Sequence, residues 1–227
     1  MRILAATLLP CPLCGRAASG RSGACPACLA TLSVPPGSSR LDGVEVLWLG
    51  PYDGPWLRAV RAVKFGSRRS LAHALGCALG RQTRYAGWPV GRVVPVPLHR
   101  SRRIRRGYDQ AWLLAAAAAP QLGAPAWAGL RRVRATARQA RGDSAARRSN
   151  VEGAFECLRL PPVPVLLVDD VWTTGATARA CRTALLRAGA REVRVAVVAR
   201  AGNDAAGQGF RTTAVSAPNT PPIRTWG

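Results

Sequence analysis

The residues best suited to chemistry lie in one run, 165–177, which reads Val-Leu-Leu-Val-Asp-Asp-Val-Trp-Thr-Thr-Gly-Ala-Thr. An apolar strand leads into two adjacent carboxylates, Asp169 and Asp170, and a Thr/Gly turn leads into a helix. In an open α/β sheet, ligands sit at the carboxyl ends of the strands, so both acids stand at the mouth of a site. They can hold ribose hydroxyls or a metal. Thr173, Thr174, Gly175, Ala176 and Thr177 offer backbone N–H groups and hydroxyls, and the following helix adds its partial positive charge. Gly175 can take a positive φ and bring the backbone close to an anion. No Gly-Lys-Ser/Thr is present, so this is not a Walker loop. The plainer reading is a solvated strand-to-helix turn with an Asp cap.

A second constellation lies near the N-terminus: Cys11-Pro-Leu-Cys14 and Cys25-Pro-Ala-Cys28. Two residues between thiolates let both sulfurs converge on one ion. Two such pairs make a closed tetrahedral site of the kind structural Zn²⁺ occupies. A redox Cys-x-x-C does not explain the second pair; an iron–sulfur cluster is the other competing reading. Cys77, Cys157 and Cys181 are scattered and read as small apolar packing residues.

The chain has 227 residues, which fits one medium domain, or one domain with a small appendage. Lys and Arg total 33 against 11 Asp and Glu, a net charge of +22. Such a chain should attract phosphates, nucleotides or nucleic acid. Lys64 is its only lysine. Two basic stretches stand out, one at Arg100, Arg102, Arg103, Arg105 and Arg106, the other over 131–148. Aromatics interleave with them poorly, Tyr108 and Trp127 being the only candidates, so base stacking along a single strand is not well supported. No apolar run is long enough for a membrane span, and the N-terminus is too short for a secretory signal. The cytoplasm is the default.

These residues need elements to hold them. The pattern predicts strands over 44–49, 93–96, 163–168 and 191–199, and helices over 56–65, from Ser70 as cap to about 81, over 108–119 with Pro120 as the stop, and over 176–188 with Gly189 after it. Asp143 is a candidate cap for a short helix over 144–148. Alternation of strands and helices implies a mostly parallel sheet covered on both faces. The expected division is a zinc-binding module over 1–31, a Pro/Gly/Ser-rich linker over 32–43, the α/β domain over 44–200 and a disordered tail over 201–227.

The run 165–177 resembles the 5-phosphoribosyl-1-pyrophosphate (PRPP) motif of type I phosphoribosyltransferases. The resemblance implies that Asp169 and Asp170, as the catalytic acids, bind the ribose 2′- and 3′-hydroxyls, directly or near Mg²⁺. It implies that Thr173, Thr174, Gly175, Ala176 and Thr177 cradle the 5′-phosphate, and that Mg²⁺ on the pyrophosphate eases its departure.

Three further stretches narrow the resemblance. Residues 52–65 read Tyr-Asp-Gly-Pro-Trp-Leu-Arg-Ala-Val-Arg-Ala-Val-Lys-Phe. Residues 93–115 hold Val-Val-Pro-Val-Pro-Leu-His-Arg and then Gly-Tyr-Asp-Gln-Ala-Trp. Residues 134–155 contain Thr136, Gln139, Arg147, Asn150, Gly153, Ala154 and Phe155 in order. With the leading cysteine pairs, the chain resembles the ComF family. Those proteins join a zinc module to a phosphoribosyltransferase-type domain and are linked to bacterial DNA uptake and competence. The family usually has Asn where this chain has Asp109, Leu near Gly142 and Glu at Ala146. The last two departures weaken a helix over 144–148.

Lys64 falls at the family's Lys-Phe position, where it could contact phosphate or pair with a carboxylate. Residues 93–99 sit where phosphoribosyltransferases place their pyrophosphate loop; His99 could help bind phosphate, and Arg100, Arg102, Arg103, Arg105 and Arg106, which follow, could meet pyrophosphate or a nucleic acid backbone. The resemblance implies PRPP and Mg²⁺ as ligands, and single-stranded DNA or DNA-uptake and recombination proteins as partners. Turnover on a nucleobase-like acceptor is the alternative, and PRPP sensing would use the same site.

Overall fold

Asp42 and Gly43 both have positive φ, 48° and 77°. They form the two-residue turn that joins β1 (Gly37–Leu41) to β2 (Val44–Pro51) as an antiparallel hairpin, with Leu41 opposite Val44. Asp-Gly suits such a turn because both central residues must be left-handed. The computed structural model describes residues 10–16, 23–32, 36–66, 68–98, 107–133 and 153–202.

After the hairpin come α2 (Gly54–Phe65), α3 (Arg69–Tyr85), β3 (Arg92–Pro95) and α4 (Gln110–Leu122). A short α1 (Pro26–Ala30) precedes it. Beyond α4 lie β4 (Leu130–Arg132), β5 (Phe155–Cys157), β6 (Pro164–Trp172), α5 (Ala176–Arg187) and β7 (Glu192–Arg200). The main sheet runs β1-β2-β7-β6-β3. Its β2-β7, β7-β6 and β6-β3 pairs are parallel, and β4 and β5 pair as a separate antiparallel ribbon. The expected fold class is the one observed: a mostly parallel sheet flanked by helices, with a four-cysteine group at the N-terminus. No helix among the described residues is long and apolar enough to cross a membrane.

Side chains alternate across the sheet. Leu47, Val93, Leu166, Val168, Ala196 and Val198 pack against α2, α3 and α4. Val46, Val94, Val165, Leu167, Val195 and Val197 pack against α5 and the ribbon. Leu166 and Leu167 face opposite ways and are both fully buried. Each such leucine is worth about 1.5–3 kcal/mol in removed apolar surface, which is why the central strands read as unbroken apolar runs.

Helices α3 and α4 approach closely because Gly76 and Gly80 lie one turn apart. A Cβ on Gly76 would meet the Leu114 carbonyl oxygen at 2.5 Å, and one on Gly80 the Ala118 carbonyl oxygen at 2.6 Å. The Ala-rich face of α4 completes the contact, and the start of α4 is thereby set against the sheet.

Four expectations change. Residues 37–41, read as linker, form strand β1, because the Asp-Gly turn outweighs the Ser-rich composition. Ser70 does not cap α3; Arg68 occupies that position and makes no side-chain cap. Pro120 lies inside α4, whose last turn runs on to Gly123 at φ 61°. The proline removes only one backbone N–H there, and Gly123 makes the stop. Strand β6 continues past Val168 through both acids to Trp172, which pairs with Arg200. The short helix expected over 144–148 lies outside the described residues.

Candidate functional site: paired acids, a glycine turn and a four-thiol cluster

Because β6 runs through the acids, they point to opposite faces. Asp170 follows Leu166 and Val168 toward α2 and α4. There Lys64 Nζ lies 2.9 Å from its Oδ1, and Gln110 Nε2 donates to its Oδ2 at 3.1 Å. Asp170 is only 4% exposed. Asp169 turns toward the α5 side and keeps part of its surface open. Its Oδ1 accepts the Asp170 backbone N–H at 2.8 Å.

The electrostatics follow from this arrangement. Burial, followed by the neighbouring charge of Asp170, pushes the Asp169 carboxyl up to about 8, although Lys64 pulls the other way. For Lys64, burial works against the charge. The Asp170 carboxylate outweighs it and holds the ammonium above the usual lysine value.

Beyond Trp172 the chain turns. Gly175 sits at φ 69° as the N-cap of α5, with no side-chain cap on that helix. A Cβ at Gly175 would meet the Trp172 ring at 2.2 Å. Two constraints therefore demand glycine here, the left-handed backbone and the aromatic ring beneath it. An uncapped helix start leaves its first N–H groups for a ligand or solvent. Around it, Thr173 is exposed, Thr174 and Thr177 are half-buried, and Ala176 is buried.

The sequence-derived site is thus brought together in part. Asp169, Asp170 and the turn 173–177 are contiguous. Lys64 joins them from α2 and is paired with a carboxylate, one of its two expected roles. His99, Arg100, Arg102, Arg103, Arg105 and Arg106 lie outside the described residues. So does most of the second basic stretch. Tyr108 packs, its hydroxyl donating to the Val63 carbonyl, and Trp127 packs against the core on the α5 side. Asp109 caps α4 by accepting the Trp112 N–H at 3.1 Å. The family's usual Asn would do the same, so this departure leaves the helix start intact.

Gln110 was not among the expected site residues. Its one sequence signal is a polar amide directly after the cap of an otherwise apolar helix. The scattered cysteines pack as expected: Cys181 is fully buried, and Cys77 and Cys157 are half-buried.

At the N-terminus the Sγ atoms of Cys11, Cys14, Cys25 and Cys28 all lie within 4.8 Å of one another. The Cys14–Cys25 separation is 3.7 Å. A tetrahedral thiolate site with metal–sulfur bonds of about 2.3 Å requires about 3.8 Å between sulfurs. The four residues therefore fit a metal ion. Burial raises the Cys11 thiol, but N–H groups, led by that of Cys25, outweigh it and bring it down to about 6. Burial, and then the neighbouring cysteines, push Cys28 up to about 12. Without a cation the cluster resists carrying four charges. Cys11, Leu13, Ala24, Leu29 and Leu32 belong to the same apolar cluster as α2, α3 and α4.

Fold and site define an α/β protein with acids and an uncapped helix start at the carboxyl end of a central parallel strand, and a four-thiol group packed on one face. No family model matches the chain. It is 38% identical over 194 residues to the DNA utilization protein YhgH of Salmonella typhi, covering 82% of this chain and 81% of that protein. It is 34% identical over 194 residues, with the same coverage, to the protein of that name from Escherichia coli strain K12. Competence protein F of Haemophilus influenzae is 34% identical over 169 residues, 69% of this chain and 73% of that one. The chain belongs to this ComF/YhgH family of competence and DNA utilization proteins. Among solved structures, the allosteric regulatory enzyme of purine biosynthesis aligns with a TM-score of 0.43 and 23% identity, over 61% of this chain and 30% of that one. The glutamine PRPP amidotransferase from B. subtilis aligns with a TM-score of 0.38 and 24% identity, likewise over 30% of its chain.

Proposed function

We propose that this protein binds PRPP with Mg²⁺ at the carboxyl end of β6, and does so in DNA uptake or DNA processing. The observation that carries the reading is Gly175 at φ 69°, opening an uncapped helix directly beyond two adjacent acids. Asp169 and Asp170 take the ribose hydroxyls. Thr173, Thr174, Gly175, Ala176 and Thr177 take the 5′-phosphate on backbone N–H groups and hydroxyls. When bound, Mg²⁺ neutralises pyrophosphate charge. The four cysteines hold structural Zn²⁺, and a reducing cytoplasm keeps their thiols available. The DNA link rests on the relatives' names and on the net charge of +22. Single-stranded DNA or proteins of DNA uptake and recombination are the proposed partners.

Turnover on an unidentified nucleobase-like acceptor is the second reading. It is favoured by the Asp169 carboxyl near 8, a value at which a group can give or take a proton at working pH. Titration calorimetry with PRPP and Mg²⁺ tests the first reading. Wild-type protein should bind, and Gly175→Ala and Asp169→Asn should weaken binding by about tenfold or more. Absence of binding by the wild type removes the proposal. Pyrophosphate release in the presence of candidate bases tests the second.

A further inference from the structure

Asp170 is held from two helices at once. Lys64, in the last turn of α2, meets one carboxylate oxygen, and Gln110, the first residue of α4, meets the other. A carboxylate only accepts hydrogen bonds, so the Gln110 amide must turn its Nε2 toward Asp170, and no flip of the amide relieves its oxygen. That Oε1 is buried with no hydrogen-bond partner among the described residues. The side chain carrying it is 3% exposed. A buried acceptor beside a fixed carboxylate is what a donor hydroxyl satisfies. Lys64 spends its charge on Asp170 and so is poorly placed to act as a phosphate clamp. In a chain otherwise restricted to arginine, lysine here supplies one compact point charge where a guanidinium fork would need two acceptors.

Resting on the site reading above, we propose that Lys64 and Gln110 are positioning residues for sugar recognition. They fix Asp170 so that its remaining lone pairs, beside the buried and unpartnered amide oxygen of Gln110, accept ribose hydroxyls. The site therefore selects ribosyl over 2-deoxyribosyl phosphates. The phosphate itself is read elsewhere, by the turn 173–177, so sugar choice and phosphate affinity are separable.

Calorimetry with ribose 5-phosphate and 2-deoxyribose 5-phosphate makes that separation. The wild type should prefer the ribosyl ligand by about tenfold or more. In Lys64→Met the preference should shrink to within about threefold, through a larger loss of ribosyl than of deoxyribosyl binding. Lys64→Arg, which keeps the charge, should recover part of it. Gln110→Met leaves the ion pair in place and should lose part of the preference even if Lys64→Met fails to fold. An equal loss for both sugars would make Lys64 a phosphate contact and overturn the proposal. So would a preference undiminished in both Lys64→Met and Gln110→Met, or a wild type that binds both sugars equally; neither touches the PRPP reading. A wild type that binds neither sugar phosphate nor PRPP with Mg²⁺ overturns the site reading and this inference together.

Discussion

The hydroxyl of Tyr108 donates to the backbone carbonyl of Val63, the residue just before Lys64. The bond ties the approach to α4 onto the last turn of α2. Lys64 and Gln110, which grip Asp170 from those same two helices, are thus held in register by a bond between their chain neighbours. Replacing Tyr108 with Phe keeps the ring and leaves a helix carbonyl short of a donor. The expected cost is about 1 kcal/mol in urea unfolding, with the denaturant slope unchanged.

Asp169 carries a stability cost that depends on pH. Its folded value of about 8 lies above its ordinary 3.8. Between those values the native state holds a proton that the unfolded chain has released, so stability falls as pH rises through that window. Asp169→Asn removes the term. The variant should melt higher than the wild type at pH 7.5 by several degrees, and the gap should close near pH 4. A constant gap across that range would show that the carboxyl does not titrate at a raised value in the folded protein.

The close approach of α3 to α4 gives a test of the frame itself. Gly76→Val places carbon where the Leu114 carbonyl stands, 2.5 Å from the first added atom. Backbone must then move, at a cost of about 1–3 kcal/mol. Because α4 carries Gln110, sugar phosphate binding should weaken in the same variant, whereas a substitution at exposed Tyr85 on α3 should change neither.

The four-thiol cluster shares its apolar cluster with α2 and α3 through Leu13, Leu29 and Leu32. Elemental analysis should find one zinc per chain. A strong chelator should lower the melting temperature of the whole protein rather than release a separate small transition. Two independent transitions would mean that the cluster folds apart from the sheet.

Much of this was legible in the chain, and the exceptions have physical reasons. The run 165–177 announces itself because an apolar strand, paired acids and a Thr/Gly turn differ sharply in composition from one another. The cysteine pairs do so by spacing. Strand β1 hid behind its serines, although Asp42-Gly43 before the apolar run of β2 is a hairpin signal in its own right. The β4–β5 ribbon has three-residue strands, too short to show a period. Gln110 could not be found by pattern: a polar residue at a helix start faces solvent in most proteins, and only the packing of α4 against the sheet turns this one onto Asp170. The direction of Lys64 was open for the same reason, since one turn of helix decides between a phosphate and a carboxylate.

The strand order has a consequence for how the protein is made. The β1–β2 hairpin is local and can form as soon as it leaves the ribosome. Strand β7, the last described strand to be synthesised, is the one that lies between β2 and β6. Val46 waits for Val195, and Leu167 waits for the same residue from the other side. Until then the nascent chain carries two half-sheets with bare inner edges, at synthesis rates of about 5–20 residues per second. A truncation before Glu192 would leave those halves with no backbone ladder between them, joined only through the helices packed on one face.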